Sequence, residues 1–223
     1  MTACTPCDSM YFALQSDGRP MSNLDKALAE ITAIRGQMAR ASQFRGYGPA
    51  TFAITGTLAA LCAVGQAIWL KHPAQDLARY LTLWIAAAAI SMLMVGVEMI
   101  TRSRRFHSEL ADDMIRAAIE QFLPVGVAGA LLTAVLVWTS PTSVWMLPGL
   151  WQMLFGLGVF SSLRFLPRAL AIVGAWYLGC GLVALAFGSG DESLAPWTMG
   201  VGFGAGQWLF AGLLHHSLGD SHD

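Results

Sequence analysis

The chain has 223 residues, 55% of them hydrophobic and only 12% charged, with a mean hydropathy of +0.54. Soluble domains carry roughly a quarter charged residues, so half that share leaves too little polar surface to cover a particle in water and excludes an ordinary soluble domain. The formal net charge of −1 says little by itself, whereas the distribution of charge along the chain says a great deal.

Residues 1–20 are polar and lack the basic start and apolar core of a secretory signal. They read as a disordered leader, with Met21 as an alternative start. Cys4 and Cys7 within "CTPC" have the spacing of a metal or redox pair, but one such pair supplies only two of the usual four zinc ligands. Residues 21–45 follow as a cytoplasmic amphipathic helix. Ser22 is a plausible cap with Asp25 three residues on. Leu24, Leu28, Ile31, Met38 and Ala41 share one face, opposite Lys26, Glu30, Arg35 and Arg40. Such a helix lies on the inner membrane surface or docks beneath the bundle.

Five stretches then carry no Asp, Glu, Lys or Arg: Gly46–Leu70, Tyr80–Val97, Gln121–Leu163, Ala169–Gly190 and Ser193–Gly219. A membrane-spanning helix needs about 20 apolar residues, so the third stretch is too long for one crossing. "TSPTS", Thr139–Ser143, divides it as a turn. The expected fold is therefore all-α: an integral membrane bundle of six transmembrane helices, because lipid cannot satisfy open backbone groups. The bundle covers 46–216, with spans at about 47–70, 80–100, 121–138, 144–163, 169–188 and 196–215, and a cytoplasmic tail at 217–223.

With the amino terminus inside, eleven of the 13 Lys and Arg residues fall on the cytoplasmic side, leaving Lys71 and Arg79 outside. That is a strong positive-inside bias. Trp69, Tyr80, Trp84, Trp138, Trp145 and Trp197 all fall at predicted outer ends, as an aromatic belt would. Both termini are thus expected in the cytoplasm. Abundant Ala and eleven Arg against two Lys point to a GC-rich bacterial genome, and so to the bacterial inner membrane. "TRSRRFHSELADDMIRAAIEQ" reads as the inner connection between spans two and three, while "KHPAQDLAR" and "GSGDESLAP" are short outer loops.

The motif that stands out is "TMGVGFGAGQWLF", with Gly200, Gly202, Gly204 and Gly206 at alternate positions. A phosphate-binding glycine turn follows a strand and opens a helix; this stretch has no strand before it and would place an anion in hydrocarbon. The spacing fits helix packing instead. Gly200 with Gly204, and Gly202 with Gly206, are four apart and make small-residue grooves for a neighbouring helix, with Gly212 roughly extending the first face. The spacing fits a neighbour in the same chain and one in a second copy equally well. "LPGLWQMLFGLGVFSSLRFLPR" has Pro148 at the outer start of its span, where a missing donor costs least, and Gly156 and Gly158 for close packing.

The order of "ARASQF", "LPGLWQMLFGLGVF", "GAWYLGCG" and "GVGFGAGQWLFAGLL" resembles a group of uncharacterised bacterial six-span integral membrane proteins of about 200 residues. The group has no established activity, so the resemblance implies a layout after Met21 and no catalytic residues. Those proteins often carry His in the sixth span where this chain has Gln207.

Polar residues at membrane depth are the remaining functional candidates. Glu98 is the only acidic residue within a predicted span and lies four residues from Arg102, which permits an exposed pair. Gln152 and Gln207 lie deeper, roughly 10 and 17 Å from the outer ends of their spans at about 1.5 Å per residue. They either bond between helices or join Glu98 in lining a small polar cavity. No histidine is at mid-span to hold a haem, and no zinc-protease, nucleophile-elbow or phosphate-loop pattern occurs. The expectation is a non-enzymatic structural or accessory membrane component without cofactor or metal. The alternative is a small transporter or binder of an apolar or weakly polar ligand. The expected partners are the lipid bilayer and, through helix packing, a second copy or another membrane protein; nucleic acid is not among them.

Overall fold

A computed structural model of the chain describes residues 31, 48–105, 110–163, 166–188 and 192–219. The chain divides into two units, Met1–Ala41 and Ser42–Asp223. In the first unit only Ile31 is described, helical and exposed. The expected leader, the Cys4 and Cys7 pair and the rest of the amphipathic helix at 21–45 lie outside the described residues, as do residues 220–223 of the tail.

The second unit is helical throughout, with no strand among the described residues. Its elements are α1 (Pro49–Trp69), α2 (Leu77–Arg105), α3 (Leu110–Thr139), α4 (Leu147–Ser162) and α5 (Ala171–Phe187), followed by α6 (Pro196–Met199), a π-helical segment (Gly200–Ala205) and α7 (Gly206–Gly219). Short 3-10 turns at Pro141–Met146 and Arg168–Leu170 lead into α4 and α5. Proline stands in the first two positions of α1, α4 and α6, where its missing N–H would have had no partner in any case. Pro124 sits inside α3, a position membrane helices tolerate because neighbouring groups re-satisfy the freed carbonyl.

Five stretches are long and apolar enough to cross a membrane: Pro49–Trp69, Leu77–Thr101, Phe122–Thr139, Pro141–Ser162 and Arg168–Phe187. The fold is that of a membrane protein. The sixth expected span, 196–215, is not one continuous α-helix. It consists of three consecutive helical pieces, of which α7 is the longest at 14 residues and continues to Gly219. The glycines that mark the stretch in the sequence are where the regular α ladder gives way.

Consecutive helices are neighbours, α4 packs most extensively on α5, and the last helical run closes against α1 and α5. The α4–α5 pair is held by backbone approach. A β-carbon at Gly149 would stand 2.8 Å from the Gly181 carbonyl oxygen, and one at Gly181 would stand 2.7 Å from that of Gly149. Seven residues along each helix the contact recurs, with a β-carbon at Gly156 falling 3.0 Å from the Gly174 carbonyl. A seven-residue repeat keeps one line of contact between two gently supercoiled helices, and only glycine lets the two backbones come so near. Gly174 in turn lies under the Phe160 ring.

Helix α3 is the least buried part of the bundle. None of the residues Phe122–Thr139 is buried, and Ile119, Leu123, Val127, Leu131 and Val135 form an exposed stripe at four-residue steps. One polar tie to the core is the Trp151 indole N–H, which donates to Thr133 Oγ1 at 3.0 Å. The expected aromatic belt divides as well. Trp69 and Trp138 are each 83% exposed, whereas Tyr80 and Trp84 point into the bundle and are buried with Leu70, Leu194 and Met199.

Glycines in α5 permit a controlled comparison. Gly181→Leu drives a side chain into the α4 backbone, while Gly179→Leu meets nothing within 4 Å of its β-carbon. In reversible unfolding with mixed detergent micelles, Gly181→Leu is expected to lose ~1–3 kcal/mol or more, the usual cost of overpacking, with Gly179→Leu near wild type. Equal losses from both would show that the α4–α5 contact does not hold the bundle.

Candidate functional site

The polar groups of the interior converge on the last helical run. Gln66, fully buried near the end of α1, donates through Nε2 to the Leu194 carbonyl at 2.7 Å and accepts the Trp84 indole N–H on Oε1 at 2.8 Å. One amide thereby joins α1, α2 and the connection before α6. Four residues beyond Leu194, the Thr198 carbonyl accepts Gln152 Nε2 of α4 at 2.8 Å. Four further on, the Gly202 carbonyl accepts the Trp176 indole N–H of α5 at 3.1 Å. Carbonyls 194, 198 and 202 are thus each met by a donor from a different helix.

This arrangement follows from the local backbone. A π turn bonds residue i to i+5 rather than i+4 and occurs as short interruptions within α-helices, which shifts the carbonyl ladder where it meets α-helix. Side-chain donors beside such a junction compensate for distorted backbone bonds, a service water cannot perform in hydrocarbon. Alternate glycines keep the widened segment free of side-chain crowding.

The two glycine pairs meet different neighbours. A β-carbon at Gly200 would lie 2.6 Å from Ala63 Cβ, and one at Gly204 would lie 3.5 Å from the Gly56 carbonyl oxygen, both on α1. On the other side, Gly202 lies against the Gln152 amide and Gly206 against the Tyr177 ring, 2.6 Å from Cζ by the same measure. The neighbours are helices of the same chain. Gly212 meets nothing within 4 Å of its β-carbon and does not extend the first face. Trp208 fills the space above Gly56, its indole N–H 3.3 Å from the Ala53 carbonyl.

Four polar atoms around this segment are buried without a hydrogen-bond partner among the described residues: Gln152 Oε1, Thr198 Oγ1, Tyr177 Oη and Gln207 Oε1. Below Gln152, Phe155, Tyr177 and Phe203 form an aromatic group with ring centroids 4.7–5.7 Å apart. Tyr80 Oη and Ser193 Oγ are likewise unpartnered toward the Leu194 end. Each buried polar group left unpaired costs about 1–3 kcal/mol, so the interior holds hydrogen-bonding capacity that its own side chains do not use.

Of the three polar candidates read from the sequence, Gln152 and Gln207 flank the π segment. Glu98 belongs to α2, is half-buried, and its carbonyl accepts the Thr101 hydroxyl at 2.9 Å. Helix α2 packs on α1 and α3, so Glu98 sits with those helices rather than beside the π segment. Gln66, Trp176, Tyr177 and Thr198 were not singled out by sequence reasoning, and Trp84 was read as part of the aromatic belt. Gln66 offered a signal, being a lone amide within a charge-free span; the indoles of Trp84 and Trp176 offered none, since the groups they meet lie on distant parts of the chain. No group of three His, Cys, Asp or Glu side chains that could hold a metal occurs among the described residues.

Compared with known proteins, the chain matches no family model, no curated protein and no solved structure.

The Gln66 junction can be weighed by a double-mutant cycle. Gln66→Leu removes both bonds, and its cost in micelle unfolding is expected at ~1–2 kcal/mol, the scale of interhelical hydrogen bonds in membranes. Adding Trp84→Phe to Gln66→Leu should cost much less than Trp84→Phe alone. Fully additive losses would show that the indole and the amide do not act together.

Proposed function

We propose that the chain is a non-enzymatic integral protein of the bacterial inner membrane, a structural or accessory component that works through helix packing. It crosses six times with both ends cytoplasmic. Support for the sixth crossing comes from the uninterrupted helical run Pro196–Gly219, whose 24 residues reach about 36 Å at the α-helical rise, against a hydrocarbon core of about 30 Å. The Lys and Arg distribution supports the orientation. Membership of the bacterial six-span group described above is part of the same reading.

The observation that carries this function is the contrast between the two parts of the bundle. Glycine contacts lock α1, α4, α5 and the last run together, while α3 buries none of Phe122–Thr139. The π-segment glycines are occupied within the chain, and the exposed stripe of α3 is the face assigned to a partner. A helix that leaves every residue of Phe122–Thr139 unburied is explained by what it presents to the membrane.

A second reading, the small transporter or ligand binder, is favoured by one specific observation: the unpartnered Gln152 Oε1 and Thr198 Oγ1 beside the π segment.

Cysteines introduced singly at Val127 or Leu131 in native membranes, followed by crosslinking and native-mass measurement, test the packing function. A crosslinked second copy or a co-purifying membrane protein supports it; a lone monomer in both detergent and lipid overturns it. Reporter fusions at the two ends test the crossings. Both reporters are expected on the cytoplasmic side, and opposite sides would remove the six-span count.

A further inference from the structure

We infer that Gln152 and Thr198 form a binding site for one water-sized, neutral molecule that carries a hydrogen-bond donor, an inference that deepens the ligand-binding reading and rests on it. Gln152 is completely buried and Thr198 is 5% exposed. The amide head is seated on Gly202, where an added β-carbon would collide with Nε2 and lie 2.7 Å from Cδ. Its orientation is set by the bond from Nε2 to the Thr198 carbonyl; a flipped amide would bring two carbonyl oxygens face to face. Oε1 is therefore committed to accepting, and it has no donor among the described residues.

Thr198 is left open for a traceable reason. Thr57, Thr82, Thr133 and Thr139 each donate their hydroxyl to the carbonyl four residues earlier, at 2.7–2.9 Å. For Thr198 that position is Leu194, which lies ahead of the helix cap Ala195, so no helical carbonyl is presented there. The Thr198 hydroxyl is buried without a partner among the described residues, on the residue whose carbonyl accepts the Gln152 amide N–H. Together the two residues offer an acceptor and a hydroxyl able to donate or accept. They carry no charge, so an ion finds no counter-charge in this pair. A neutral molecule with a donor to spare matches them, and a buried water typically makes two to four such bonds.

The test is a structure of the protein in lipid nanodiscs at a resolution that shows ordered water, for wild type, Thr198→Ser and Thr198→Val. Wild type and Thr198→Ser are expected to show a peak at hydrogen-bond distance, about 2.7–3.2 Å, from both Gln152 Oε1 and the residue-198 hydroxyl. Thr198→Val should keep the helix positions and lose the peak. A wild-type map with no peak, or with the Thr198 hydroxyl bonded directly to Gln152 Oε1, overturns the site. Osmotic light scattering of proteoliposomes separates this from the broader reading. A water permeability at least twofold lower in Thr198→Val supports a transporting role. Equal rates with the peak present leave the site standing and remove that role.

Discussion

Lipid is as apolar as the helices it surrounds, and the rest of this structure depends on that fact. Between helices in a membrane the hydrophobic effect supplies almost no attraction, leaving van der Waals contact and hydrogen bonds to bring them together. Both are visible in the α4–α5 pair and the last helical run. Gly149 and Gly181 let two backbones touch. Gln66, Gln152 and Trp176 reach across to carbonyls 194, 198 and 202. The two devices support each other, since the amide of Gln152 can reach Thr198 only because Gly202 has no side chain in its way.

The layout of the bundle was legible in the sequence because it depends on the number and spacing of charged residues, which lipid reads directly. Stretches without Asp, Glu, Lys or Arg mark α1, α4 and α5 to within a few residues, α2 runs eight residues past its stretch to Arg105, and "TSPTS" falls where α3 ends. The π segment was not legible. Alternate glycines announce close packing, but an i to i+5 ladder depends on which donors lie opposite, and Gln152 and Trp176 are 46 and 26 residues from the carbonyls they serve. The same limit hid the buried role of Trp84. An amphipathic ring at a span end reads as a membrane anchor, and only its partner, Gln66 on another helix, turns it inward. Heptad-spaced glycines in α4 and α5 were present in the sequence, but their pairing becomes evident only when the two helices run antiparallel.

The functional reading follows from where the close contacts are used up. With Gly200 and Gly204 on α1, and Gly202 and Gly206 on α4 and α5, the most conspicuous motif serves internal assembly. What remains for the outside includes the exposed apolar stripe of α3 from Ile119 to Val135. What remains for the inside is a small group of polar atoms whose bonding capacity the fold leaves unspent. The first accounts for an accessory component that presents a helix to its surroundings, and the second for an interior that admits a small neutral guest.

The long reach of Gln66 also has a consequence for biogenesis. Its acceptor, Leu194, lies 128 residues later in the chain, which at about 5–20 residues per second is roughly 6–26 s of translation. During that interval the Gln66 Nε2 lacks its acceptor, and only its Oε1 has a partner close in the chain, the Trp84 indole 18 residues on. The α4–α5 pair, by contrast, can zip as soon as its two members emerge. Maturation therefore waits on the arrival of the final segment, and a ribosome that stops before residue 194 leaves a set of inserted but unclasped helices for quality control to find.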